Sequence, residues 1–461
     1  MAIKVVGAKR DRYQMDMCRG PLLRQIVVFA VPLVVSGILQ LLFNAADLFV
    51  VGRFSASHRA LAAVGATGPM THVLINLFIG LSVGANVLVA NHLGENDRKG
   101  TSRTAHTAVL ISLLGGALLA AAGVTVARPV LALVGTPADI LDQSALYMRI
   151  FFAGMPLIML YNFGSAVLRA MGDTRRPFYF LVVAGIINVA LNLLFVIVWH
   201  WDVAGVAAAT VLSQGVAALL VLRVLVNLRT PCRVKLGNLR IEWKSLRAMM
   251  WIGVPAGFQA SCYSFSNIIM QVALNTFGSA AVAGFTAAGT WEIIGYVSAG
   301  AIGQTALTFA GQNCGGGQYA RLRRSMRHCL WLAGGTLFLV GMILLIFARP
   351  FTAFFNDAPE VVAAGAERLR ITMPAFFVCG VAEVLTSTLR GLGKSVIPMF
   401  ITVLCVCVVR IVYILTLWRI FPTLGMLILT FPATWTLNGI VTGIYLCFVL
   451  AKLPKTDRSR G

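Results

Sequence analysis

A single carboxylate lies within a long apolar stretch near the start of the chain, VPLVVSGILQLLFNAADLFVVGR at 31–53. Its polar members are Ser36, Gln40, Asn44 and Asp47, and a period of 3.6 residues places them on one stripe of a helix. A run this apolar predicts a membrane span, where an aspartate costs roughly 2.5 to 3.5 kcal/mol on insertion scales. We therefore expect the stripe to face a bundle interior or a wet cavity.

The same stretch contains a proline. Pro32 removes one helical hydrogen bond and would let the outer part of the helix bend about it. A helix that can bend around a wet acid indicates a carrier, and Pro32 is its predicted hinge.

Few other charges fall well inside the apolar stretches. Glu292 and Glu383 are the remaining acids there, and Arg410 is the predicted partner of one of them. A buried ion pair of this kind would be a purely structural role for Arg410, and the sequence leaves open which glutamate it would contact.

Amides and hydroxyls recur at helical spacing in two later stretches. Asn188 and Asn192 are four residues apart and would face the same way, and Thr210 and Gln214 repeat that spacing. Hydrogen bonding between neighbouring helices would also explain such residues.

Composition defines the class of protein. Of 461 residues, 58% are hydrophobic and 12% are charged, and the mean hydropathy is +0.84, which predicts a polytopic membrane protein. A net charge of +22 would suit nucleic acid, but Lys and Arg fall in alternate loops. That pattern indicates topology, with both termini in the cytoplasm and the bilayer as partner instead of nucleic acid.

Hydropathy predicts twelve transmembrane helices of about the 20 residues that a bilayer needs. They are 23–51, 61–90, 104–127, 141–168, 178–198, 204–227, 246–275, 282–310, 326–348, 361–389, 396–418 and 424–450.

The chain repeats itself. LRAMGDTRRP at 168–177 corresponds to LRGLGKSVIP at 389–398 with an offset of 390 − 169 = 221, and Asn44 corresponds to Asn267 with an offset of 223. Two copies of a six-span unit should be related by a pseudo-twofold axis along the membrane normal, with a central cavity and rocking lobes. The predicted organisation is a cytoplasmic segment 1–22, an N-lobe 23–228, a linker 229–245, a C-lobe 246–450 and a cytoplasmic tail 451–461.

Other function classes lack their motifs. The histidines form no cluster with carboxylates, and no GxxxxGK[ST] loop is present. We therefore expect no enzyme activity, no metal and no cofactor, so an ion gradient must supply the energy. No loop is long enough for the signalling domain of a receptor.

These features together resemble one family, that of multidrug and toxic compound extrusion (MATE) transporters. The resemblance rests on the six-plus-six repeat, on Pro32 and Asp47 in FNAADLFVVGRF, on the two repeated loops and on GQNCGGG at 311–317, and it covers about 21–450. It implies a multidrug antiporter of the inner membrane that exports cationic, amphiphilic compounds, and thereby confers antibiotic resistance, in exchange for protons or sodium. We expect it to act as a monomer.

The resemblance also implies an ion-coupling site. The matching positions carry Asp47, Asn188, Asn192 and Thr210, although the family has an aspartate where this chain has Asn192. Loss of that charge should weaken sodium binding, so that proton coupling through Asp47 is favoured.

The predicted substrate cavity follows from the family resemblance and from the polar residues that lie within spans. Gln40 and Asn162 match cavity-lining positions of the family, and Asn44, Glu292 and Glu383 join them as polar residues within spans. A flippase for lipid-linked sugars would share this architecture, but its cavity would need several arginines to neutralise a pyrophosphate. The sequence does not name individual substrates.

Overall fold

The protein is mostly helical in the residues described by the computed structural model, which are 13–54, 58–454 and 457. The first seven helices are α1 (Leu22–Phe54), α2 (His58–Gly94), α3 (Arg98–Leu133), α4 (Ala138–Ala153), α5 (Met155–Ala170), α6 (Arg175–Leu193) and α7 (Asp202–Asn227). The others are α8 (Trp243–Asn275), α9 (Ser279–Gly315), α10 (Tyr319–Ile346), α11 (Ala348–Ala353), α12 (Pro359–Thr372), α13 (Phe376–Gly391), α14 (Val396–Thr402), α15 (Val409–Leu415), α16 (Leu417–Ile420) and α17 (Leu424–Ala451). Wider π-helical turns follow α6 at Leu194–Val198 and α14 at Val403–Val408.

Each predicted span coincides with a helix or with consecutive helices. Within the described residues, ten segments are long and apolar enough to cross a membrane, and the pair α4 and α5, bent by 47°, would make eleven. The remaining span is α8, whose 33 residues are less apolar because Gln259, Asn267 and Gln271 interrupt them. The prediction of a polytopic helical membrane protein is confirmed.

Two compact units divide the chain. The first contains Val35–Gly253 and the described residues up to Asp16, and the second contains Met17–Val34 and the described residues from Val254 onward. The boundaries therefore fall inside α1 and α8, next to Pro32 and Pro255, whereas the predicted lobes 23–228 and 246–450 keep both helices whole. Each proline removes a backbone hydrogen bond where the chain passes from one unit to the other.

The repeated loops adopt the same turn. Gly172 and Gly393 both have positive φ, +89° and +75°, a conformation that glycine adopts without steric cost. The next residue in each case, Asp173 or Lys394, donates its backbone N–H to a carbonyl five residues earlier, at 3.0 and 2.9 Å. These are Schellman turns that end α5 and α13, which explains why both copies have a glycine there.

Close packing in the first unit places α1 against α6. A Cβ atom at Gly185 would lie 1.7 Å from Phe43 Cζ, so only glycine leaves room for that ring. The contact brings the C-terminal half of α1 beside the polar residues of α6.

The second unit is packed around aromatic rings. Trp435 on α17 lies 6.0 Å from Phe376 and 5.8 Å from Phe431, measured between ring centroids, and Phe376 lies 5.3 Å from Tyr296. Offset and edge-to-face pairs of this kind add to the stabilisation that comes from burial.

The GQNCGGG motif at the end of α9 holds the N-terminal segment. Gln312 Oε1 accepts from the Met17 backbone N–H at 3.3 Å, and Asn313 Nδ2 donates to the Met17 carbonyl at 3.3 Å. Arg321 on α10 donates to the same carbonyl at 2.8 Å and to that of Gly20 at 2.8 Å. The motif therefore contributes to tertiary structure in the second unit.

Candidate functional site

The four predicted ion-coupling residues lie together in the first unit. The side-chain amide of Asn192 on α6 donates one hydrogen bond to Asp47 Oδ1 and a second, at 3.2 Å, to Asn188 Oδ1. Thr210 on α7 donates its hydroxyl to Asp47 Oδ2 at 3.4 Å. One carboxylate on α1 is thus held by an amide and a hydroxyl from two other helices.

Local helix geometry explains this arrangement. Asn188 and Asn192 are one turn apart and both are buried, while Asp47 is half-buried. Because the Phe43 ring fits against Gly185, the Asp47 side chain one turn further along α1 reaches the amides one and two turns further along α6.

The electrostatic environment of Asp47 is unusual for an acid inside a membrane protein. Among the described residues, Asp47 forms no ion pair, and no group of three His, Cys, Asp or Glu side chains could hold a metal. Its partners are neutral donors, so no fixed cation neutralises the charge. Such a carboxylate can exchange a proton or hold a monovalent cation.

Two further features of this cluster were not predicted from the sequence. The Oδ1 atom of Asn192 is buried and has no hydrogen-bond donor. Tyr147 on α4 lies close enough to Asp47 to interact with it electrostatically. Tyr147 gave no signal in the sequence because an aromatic residue in a span is usually a packing residue.

The predicted cavity residues of the first unit divide into two groups. Gln40 and Asn44 are exposed on α1, on the same face as Asp47 and two turns and one turn before it. Asn162 on α5 is half-buried and donates to the carbonyl of Ile158 in its own helix at 2.8 Å. The structure thus aligns Gln40 and Asn44 with Asp47 but shows no hydrogen bond that joins Asn162 to them.

Glu292 belongs to a buried ion pair. Arg368 on α12 donates to its two carboxylate oxygens at 3.1 and 2.6 Å, and Thr372 donates a third hydrogen bond at 3.1 Å. Glu292 is 1% exposed. Its charge is therefore already neutralised within the second unit, which sequence reasoning did not anticipate.

The predicted pairing of Arg410 with a glutamate is not found among the described residues. Arg410 donates instead to Asn267 Oδ1 at 3.0 Å and to Ser266 Oγ at 3.3 Å, and Glu383 accepts from Ser387 at 3.0 Å. The prediction overlooked Arg368, which lies buried on α12 and forms the ion pair with Glu292 instead.

A family comparison agrees with the internal repeat. The family model described as MatE matches residues 32–194 and 255–416, one match in each copy. The chain belongs to the MatE family. The MatE fold has twelve helices in two lobes, and its members are membrane transporters and not enzymes, so this chain is a multi-pass membrane transporter.

Other MatE proteins are similar over nearly their whole length. The chain is 28% identical to the "Probable multidrug resistance protein YoeA" of Bacillus subtilis over 93% of this chain and 94% of that protein. It is 25% identical to the "FAD transporter" of Shewanella oneidensis over 96% and 97% of the two chains. A solved structure titled "Outward-facing conformation of a multidrug resistance MATE family transporter" is 21% identical, with a TM-score of 0.89 over 97% of this chain and 100% of that one. The last comparison establishes the fold.

The ends of the two MatE matches have nearly the same offset as the repeated loops. Their first residues differ by 255 − 32 = 223 and their last by 416 − 194 = 222, whereas the repeated loops between them differ by 221. The π-helical turn at Val403–Val408 lies between the second loop and Arg410. Because a π turn accommodates one extra residue, Arg410 then corresponds to 410 − 222 = 188, which is Asn188.

Proposed function

We propose that the protein exports cationic, amphiphilic compounds from the cytoplasm by antiport against protons, and that Asp47 binds the proton. The observation that carries this proposal is that the hydrogen-bond partners of Asp47, which are Asn192 and Thr210, are both neutral. A carboxylate held by an amide and a hydroxyl changes its net charge when a proton binds, and no built-in cation cancels that change.

The proposed cycle uses this charge directly. Deprotonated Asp47 favours binding of an organic cation, with Gln40 and Asn44 as exposed polar residues on the same helix face. A proton from outside removes the charge, the attraction for the cation disappears, and α1 bends near Pro32 as the compound leaves. The rocking of two lobes around a central cavity stays a prediction from the repeat.

Two findings support drug export over the alternatives. Relatives along the whole chain are named as probable multidrug resistance proteins, and the acid is retained where the family binds its coupling ion. A sodium ion in place of the proton is the second candidate, because the unpartnered Asn192 Oδ1 could serve as an oxygen ligand beside Asp47. The proton is favoured over sodium because Asn192 replaces the aspartate of the family pattern, so the site has one carboxylate fewer.

Asp47→Asn tests the proposal in proteoliposomes. With an imposed pH gradient, the wild-type protein should transport ethidium, and the variant should lose most of that transport because its amide cannot bind a proton. Asp142→Asn is the matched control, since Asp142 is an exposed partner of Arg128 at 3.1 Å. Unchanged transport by Asp47→Asn would contradict the proposal, and transport driven by a sodium gradient alone would favour the second candidate.

The orientation and location are also proposals. Alternate loops rich in Lys and Arg support a cytoplasmic position for both termini in the cytoplasmic membrane. Reporter fusions at the C-terminus that are active only outside the cytoplasm would contradict this orientation. We further propose that a single copy is the working unit.

A further inference from the structure

A buried arginine in the second unit has no acidic partner among the residues that the structure describes. Arg410 on α15 is 2% exposed, and its hydrogen bonds go to the neutral side chains of Asn267 and Ser266 on α8. Its Nε–H is buried and has no acceptor. An arginine cannot lose its proton at any accessible pH, so this site keeps a full positive charge.

No described carboxylate contacts Arg410 to neutralise this positive charge. The guanidinium groups of Arg410 and Arg368 lie 4.6 and 5.5 Å from the centroid of the same ring, Phe431. Among the described residues near this ring, the only paired carboxylate is that of Glu292, and its partner is Arg368. Glu383, the other predicted intramembrane acid of this unit, is hydrogen-bonded to Ser387 and forms no ion pair among the described residues.

A buried charge without a counter-ion is strongly unfavourable, and in membrane spans such residues are retained at functional sites. A purely structural role would be served better by an acid beside Arg410 or by an apolar residue. Ring contact with Phe431 offsets part of the cost but brings no negative charge. The arrangement fits a site whose counter-ion arrives with a ligand.

The internal repeat supports the same conclusion. The register set by the π turn matches Arg410 with Asn188, which lies in the Asp47 cluster of the first unit. The second copy therefore carries a guanidinium at the position where the first copy has an amide of the Asp47 cluster. The first unit is suited to a cation and the second to an anion.

We infer that Arg410 forms a binding site for the carboxylate or other oxyanion of an amphiphilic compound. This inference rests on the proposed transport function and extends its substrates from cations to zwitterions and anions. The oxyanion replaces Asn267 Oδ1 as acceptor for the guanidinium, which exchanges a neutral acceptor for a charged one. Asn267 is exposed, so its amide is the point at which the ligand reaches Arg410.

A pair of dyes that differ in one carboxylate tests this site. Tetramethylrhodamine carries a free carboxylate, and in its ethyl ester that charge is blocked. We expect Arg410→Met to lower the affinity of the purified protein for the acid by about tenfold or more, since charge-assisted hydrogen bonds are lost. Affinity for the ester should change less than twofold, and fluorescence anisotropy measures both.

Asn267→Asp provides a test that does not depend on removing the arginine. The new carboxylate would occupy the position of Asn267 Oδ1, 3.0 Å from Arg410, and compete with the ligand. We expect a selective loss of acid binding in a protein at least as stable as wild type. Arg410→Lys keeps the charge and should retain part of the affinity for the acid.

The outcomes separate this inference from the proposed function. The anion site would be overturned if either variant lost affinity for both dyes equally or kept its full affinity for the acid dye. It would also be overturned if the wild-type protein failed to bind the acid dye. Ester binding together with Asp47-dependent ethidium transport would leave cation export standing in those cases. Selective loss of the acid in Arg410→Met and Asn267→Asp would support the site.

Discussion

At the residue scale, function depends on which charges have built-in partners. Glu292 is neutralised by Arg368, whereas Asp47 and Arg410 have only neutral hydrogen-bond partners among the described residues. A paired charge contributes to folding, whereas an unpaired one is available to a ligand or a proton. We therefore propose different roles for these three side chains, although each is a charge inside an apolar helix bundle.

Asn192→Asp would restore the acid that the family pattern has at this position. A second carboxylate beside Asp47 should strengthen sodium binding by about tenfold, because affinity for hard cations rises with the number of charged oxygen ligands. Ethidium transport should then respond to a sodium gradient. Asn162→Asp places an acid elsewhere in the first unit and should not confer this response. If both variants remained insensitive to sodium, the argument from the missing charge would be wrong.

Glu292→Gln should destabilise the protein by about 3 to 5 kcal/mol, because it leaves Arg368 buried without its carboxylate. Thermal unfolding of the purified protein measures the change. The double variant Glu292→Leu and Arg368→Met removes both charges and should recover most of the stability. A small effect of the single variant would show that the pair is solvated in the native protein.

At the scale of helices, a glycine lies one turn from the Asp47 cluster and allows close packing beside it. Phe43 occupies the space that a side chain at Gly185 would fill, and this contact sets the distance between α1 and α6. Asn192 and Asp47 meet because of that contact. Helix packing therefore controls the chemistry of the site from outside it.

Gly185→Ala should lower stability by about 1 to 3 kcal/mol through overpacking and reduce ethidium transport. Phe43→Ala in the same chain makes room for the new methyl group and should restore part of both properties. Gly65→Ala is the control, since a Cβ there would meet nothing within 4 Å. A Gly185→Ala variant with normal transport would show that the cluster tolerates a wider spacing of the helices.

At the scale of the whole molecule, each unit contains its own buried polar group, the Asp47 cluster in the first unit and Glu292, Arg368 and Arg410 in the second. The second unit also holds the N-terminal segment through Arg321 and the GQNCGGG motif. The motif thus serves tertiary structure, although it helped to identify the family.

Arg321→Met should release this segment and expose Cys18, which is 8% exposed in the structure. In a variant with Cys18 as the sole cysteine, the rate of maleimide labelling should rise by about tenfold or more, since hydrogen bonds to a charged group are lost. Arg324→Met is the control, because Arg324 is exposed on the same helix. Equal labelling rates in the two variants would contradict this role of Arg321.

The sequence alone determined the membrane class, the twelve spans, the internal repeat and the family, and it singled out Asp47 as a candidate. Apolar runs, repeated loops and a lone acid in a span are visible in the order of residues without any tertiary contact, and a bilayer requires apolar runs of about 20 residues however the helices pack.

Only the tertiary structure decided how the charges pair. Arg368 and Arg410 are both buried arginines of the second unit, and among the described residues only Arg368 pairs with a glutamate. Side chains on different helices meet according to helix register and packing, and a shift of one residue turns a side chain by about 100°. The sequence does not encode that register locally, so the lone Arg410 and its neutral partners emerged only from the folded chain.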